Sequence, residues 1–157
     1  MAFAMDLVAG ERRTILDAIS TADWAAFDDA RRFSAHLALG GQLDPDWLDL
    51  FSEAVRGVTD GGEPRDFLDA RTEIDDPEVQ GERTIERVDA TWITAIARLS
   101  DSDVGPVAAR WIDLVEAEVG DLPREEKPWI RKLAGDIVEF CRRADRAPAV
   151  IVAWSLG

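Results

Sequence analysis

Apolar positions recur along this chain in two rhythms. Trp47, Leu48, Phe51, Ala54, Val55 and Val58 return every three or four residues, which puts them on one side of a helix. The same spacing predicts helices over 11–19 (Ile15, Leu16, Ile19), after Asp89 (Trp92, Ile93, Ile96, Leu99) and through 104–119. A last long helix runs from about 121 to 146 and carries Trp129, Ile130, Leu133, Ile137, Val138 and Cys141. Trp24, Phe27, Phe33 and Leu37 also fall at helical intervals, so 24–39 reads as one helix or two short ones, ended by Gly40-Gly41.

The second rhythm has period two. Thr84-Ile85-Glu86-Arg87-Val88 alternates as a half-buried strand does. Ala149 to Trp154 is apolar on both faces, which places it inside a sheet. Phe3 to Val8 reads as a further short strand, with Gly10 as the turn.

Local signals punctuate these segments. Asp44-Pro45-Asp46 is a helix start: Asp44 caps, Pro45 suits the first position, and Asp46 complements the dipole. Asp89 is set to cap the next helix, and Ser100 to Ser102 the one after it. Pro106 is tolerable only in a first turn, and Pro148 stops the last helix. Thr59-Asp60-Gly61-Gly62-Glu63-Pro64 breaks the chain. The stretch near 59–81 reads as a mobile acidic loop with one helical turn, anchored by Phe67 and Leu68. The resulting expectation is a single α+β domain over 1–157, mainly helical. Its small sheet of two to four strands includes those near 3–8, 84–88 and 149–154.

Charge changes the picture more than length does. The 157 residues carry a formal charge of -14. Phosphate backbones and anionic membrane surfaces are bound by Lys and Arg, so neither is an expected ligand. A basic protein steered by the negative field is. No apolar run is long enough to span a bilayer, and Met1 to Asp6 has no basic leader region. Cys141 is the sole cysteine, which rules out a disulfide within one chain and suits a cytoplasmic setting. Tyr is absent, so no phenol is available for chemistry. Abundant Arg, with Lys127 and Lys132 the only lysines, suggests a bacterial genome of high GC content.

One resemblance emerges from the second half of the chain. A strand after an Arg (Arg83-Thr84-Ile85-Glu86-Arg87-Val88) precedes helices with Trp92, Leu99 and Trp111. Leu133 through Phe140-Cys141-Arg142-Arg143-Ala144 then leads to Val150-Ile151-Val152. Over roughly residues 83–156 this order resembles the YfbM-like family of small bacterial proteins of unknown function. The resemblance implies an α+β fold. It implies no activity and no catalytic residues.

Candidate chemistry is sparse. His36 is the only histidine, so any imidazole catalysis or imidazole metal site must use it. On the expected helix, Ser34 and His36 lie on different faces, while Asp28 and Asp29 share a face with His36. Cys141 sits on an apolar stripe and reads as core. Asp44, Asp46 and Asp49 form a carboxylate group without the glycine and distal glutamate of a calcium loop, and Asp75-Asp76-Pro77-Glu78 forms another. No phosphate-binding or dinucleotide-binding glycine pattern occurs. Trp24 and Trp47 flank Asp-rich turns and are candidate binding hot spots if exposed.

The leading expectation is a non-enzymatic interaction module of the bacterial cytoplasm, presenting an acidic surface to a basic protein, as an immunity-type inhibitor does. It needs no cofactor and no catalytic or metal residues. The alternative is a small ligand-binding domain or enzyme built from Trp24, Asp28, Asp29, His36, Asp44, Asp46 and Trp47. A third is a divalent-metal module at an acidic loop. Oligomeric state is open.

Overall fold

A computed structural model describes residues 3–39, 43–75 and 83–156. Five strands form one antiparallel sheet: β1 (Phe3–Gly10), β2 (Phe33–Ala38), β3 (Arg71–Glu73), β4 (Thr84–Val88) and β5 (Ala149–Leu156). Their spatial order is β2-β1-β5-β4-β3, so β5 is central. Five α-helices accompany them: α1 (Arg12–Ser20), α2 (Asp46–Thr59), α3 (Ala90–Ala97), α4 (Asp101–Val119) and α5 (Glu126–Ala144). A 3-10 turn, Trp24–Asp28, links α1 to β2. The α+β expectation and the three named strands are confirmed, and β5 is indeed inside the sheet.

The alternation of β5 explains why both its faces are apolar. Val150 and Val152 enter the larger core, with Leu7, Phe51, Trp92, Trp111 and Ile137. Ile151 and Ala153 enter a smaller one, with Val8, Ile15, Leu16, Phe27 and Phe33. Helices α2 to α5 therefore cover one face, and α1 with the 3-10 turn covers part of the other. Buried Trp side chains find partners for their N–H groups, as low-dielectric burial requires. Trp92 Nε1 donates to Ser52 Oγ at 2.9 Å, and Trp111 Nε1 to the Trp47 carbonyl at 2.8 Å.

Several expectations need correction. Residues 24–39 are not helical: they form the 3-10 turn and then β2. The helical spacing of Phe33 and Leu37 is coincidental. Ala35 and Leu37 turn inward on a strand, paired with Ala9 and Leu7. A register shift between Ala9 and Gly10 puts Phe33 with the other core. The 59–81 segment holds a strand, β3, where a loop was expected. Phe67 anchors it, but Leu68 is 61% exposed. Among the described residues the sheet thus has five strands where two to four were expected. Helix α4 begins at Asp101, which moves Pro106 into the second turn and leaves the Ser102 carbonyl without its helical donor. Asp89 precedes α3 but makes no side-chain cap; its carboxylate takes the Arg65 guanidinium. Ser100 does open α4, its N–H meeting Asp103 Oδ2 at 3.4 Å. Gly40 and Gly41 lie outside the described residues.

Candidate functional site

Strand alternation builds the site. Asp6 and Val8 point to the same face of β1, and Val8 lies directly opposite His36 on β2. The 3-10 turn then brings Asp28 over the same face. His36 Nε2 lies 2.8 Å from Asp6 Oδ1, and His36 Nδ1 lies 2.9 Å from Asp28 Oδ1. Ionised carboxylates only accept hydrogen bonds, so satisfying both requires both ring nitrogens to be protonated. Arg83 Nη1 reaches Asp6 Oδ2 at 3.4 Å, and its guanidinium lies over the Trp24 ring at 3.8 Å. Phe27 packs beside the imidazole with centroids 5.3 Å apart.

Electrostatics follow from this geometry. Burial is the largest single influence on His36 and lowers its pKa. The hydrogen bonds to Asp6 and Asp28, with the charges of both, together outweigh it and raise the pKa above the usual 6.5. A raised folded-state value means the charged ring stabilises the native state. That contribution is complete below the unfolded value near 6.5 and is lost as pH rises through the folded value. Urea unfolding of the wild type and His36→Gln across pH 5–9 will show a gap that narrows with rising pH. A gap that widens would reverse the assignment of charge.

The seven sequence candidates divide. Asp28 and His36 meet, and Trp24 joins them through Phe27 and Arg83. Asp29 is adjacent, but its carboxylate accepts the Arg31 amide at 3.0 Å. Asp44, Asp46 and Trp47 belong to the start of α2, on the other face of the sheet. Asp44 Oδ1 accepts the Asp46 amide at 3.0 Å, and Trp47 is half-buried against the larger core. Asp49, nearby on α2, accepts the Leu68 amide at 2.8 Å. Burial raises its pKa, partly offset by that bond. The expected shared helical face of Asp28 and His36 is wrong in form, since a turn and a strand make the contact. The same correction puts Ser34 and His36 on one strand two apart, where the bulge at the start of β2 intervenes.

Two members escaped the sequence reading. Asp6 carried a signal: it is the only charged residue in an otherwise apolar strand, and such a residue needs partners. Arg83 carried none, because its role depends on β4 lying two strands away from β1 in the sheet order.

Other candidates are accounted for by structure. Cys141 is wholly buried, and burial followed by the Asp145 charge pushes its thiol pKa far up, away from reactive thiolate. Arg142 bonds Asp101 at 2.9 Å and the Leu99 carbonyl at 2.6 Å, tying α5 to the α3–α4 junction. The acidic group 75–78 lies beyond the described residues except for Asp75. Among the described residues, no three His, Cys, Asp or Glu side chains converge to hold a metal ion. No described helix is long and apolar enough to cross a membrane. A scan against family models, a search of curated proteins and a search of solved structures each found no match.

Proposed function

We propose that this protein is a non-enzymatic interaction module that presents an acidic surface to a basic protein, in the manner of an immunity-type inhibitor of the bacterial cytoplasm. The observation that carries the reading is the formal charge of -14. It sits on a molecule whose one imidazole has both nitrogens engaged and whose one thiol is sealed in the core. A general base needs a free lone pair, and a nucleophile needs access.

The two large apolar side chains most exposed among the described residues support it. Leu68 is flanked by Asp66 and Asp69, and Val119 by Glu118 and Asp121. An apolar contact within an acidic rim suits a basic partner that also buries hydrophobic surface. The resemblance of residues 83–156 to the YfbM-like family concerns scaffold on this reading, and adds no activity.

The test is affinity capture from native lysate at low and high ionic strength. A stoichiometric basic partner is expected, retained at low salt, released as screening rises, and weakened by Leu68→Ser or Val119→Ser. Recovery of no stoichiometric partner would count against the proposal. The convergence of Trp24, Asp28 and His36 favours a second reading, a ligand-binding domain at that site. The exposed Asp28 carboxylate would there recognise a cationic group by charge, with Trp24 as an apolar wall.

A further inference from the structure

The Trp24–Asp28 turn is held on the sheet by two kinds of contact, aromatic packing, which includes Trp24 beneath the Arg83 guanidinium at 3.8 Å, and one hydrogen bond to the imidazole. Phe27 is buried, with its ring 5.1 Å from Phe33 and 5.3 Å from His36. Asp28 meets His36 Nδ1 at 2.9 Å. The first contact is indifferent to protons and the second is not.

A neutral imidazole has one N–H to share between two carboxylates. The two are unequal. Asp6 is 17% exposed and also bonded to Arg83, so water cannot easily replace the imidazole there. Asp28 is 78% exposed and is readily hydrated. The remaining proton therefore stays on the Asp6 side, and Asp28 faces a lone pair. The other charged groups near His36 do not compensate. Arg83 is committed to Asp6 and Trp24. Asp136, Glu139 and Arg143 of α5 border a cavity of about 180 Å³ beside β2, and Arg143 is bonded to Glu139. At the other end of the turn, Ala22 is left-handed with φ 55°, a conformation that a non-glycine residue holds at a cost. The Ala22 and Asp23 amides bond the Ile19 and Ala18 carbonyls at 3.0 and 2.9 Å, so this end stays fixed to α1 and the turn opens by pivoting there.

We propose that the Trp24–Asp28 turn is a proton-gated latch. Charged His36 holds it down through Asp28, and neutral His36 lets it open, uncovering the apolar seat of Phe27 against Phe33. Losing one charge-assisted hydrogen bond raises the opening equilibrium by roughly ten-fold.

Hydrogen exchange on the intact chain, corrected for intrinsic rates, reads this directly. The amides of Ala26 and Asp29 bond the Asp23 and Ala26 carbonyls across the turn and report on it, while that of Arg32, bonded to Asp29 beyond the turn, serves as a local control. Protection of the first two should fall by roughly ten-fold through the His36 midpoint observed by NMR, while α2 and α5 stay protected. Asp28→Asn should show low protection on the acid side already, with no step at that midpoint. Asp28→Glu should restore the step. Unchanged protection across the His36 titration would overturn the latch. So would a step that survives in Asp28→Asn, or a loss of protection spread over the whole protein.

Discussion

Replacing Glu86 with alanine will cost about 3–5 kcal/mol of stability, the usual result of stranding a buried charge. Glu86 Oε1 accepts from Arg71 Nη1 at 3.1 Å and from Trp154 Nε1 at 2.6 Å. Arg71 is 92% covered, its side chain only 8% exposed, and its Nε already has no partner among the described residues. The guanidinium also lies over the Phe67 ring at 4.9 Å, so it has no room to swing into water without disturbing a buried aromatic. Glu86→Ala therefore leaves a cation and an indole N–H unsatisfied on β3 and β5 together. Chemical unfolding checks this. The double variant Glu86→Leu with Arg71→Met should recover most of the loss, because removing both charges removes the desolvation cost as well. A loss below about 1 kcal/mol in the single variant would show that the pair behaves like a surface ion pair.

Trp92→Ala is the second large effect, about 3–5 kcal/mol. Trp92 is 1% exposed, packs on Phe67 with centroids 4.8 Å apart, and bonds buried Ser52. Truncation opens a cavity between α2 and α3 and leaves Ser52 with only its Leu48 carbonyl contact. In a chain of this size, the melting temperature should fall by roughly ten degrees. Trp24→Ala is the contrast. Trp24 is half-buried and loses a stack on Arg83 and a contact with Phe27, so about 1 kcal/mol is expected. Equal losses from the two variants would erase the distinction between scaffold and site tryptophans.

These residues also show what the sequence made legible. Helix α2 was readable from its apolar stripe and the acidic residues of its first turn, although Pro45, not Asp44, takes the cap position and Asp46 opens the helix. Strand β5 was readable because six consecutive apolar residues bounded by Pro148 fit a strand buried on both faces. Strand β2 was not readable. Its residues acquire their meaning from pairing with β1, some thirty residues earlier, and Phe33 and Leu37 happen to be four apart. Strand β3 was hidden for a related reason: Arg71-Thr72-Glu73 is short and polar, as sheet edges often are. Misreading β2 as helix gave the right neighbours, Asp28 and His36, for the wrong reason. Nearness in sequence within 24–51 grouped them with Asp44, Asp46 and Trp47, which the sheet separates from them. Arg71 illustrates the limit of pattern. Nothing in a polar segment marks which arginine will be buried until β4 supplies Glu86.

The non-enzymatic part of the proposed function rests on the state of one imidazole. A nitrogen-detected NMR titration of His36, the only histidine, determines it without a partner or substrate. The expected result is a midpoint above 6.5, with both ring nitrogens protonated on the acid side of it and the ring held between Asp6 and Asp28. A midpoint below 6.5, with one nitrogen carrying a free lone pair at neutral pH, would instead give the protein a ready general base and contradict the proposal.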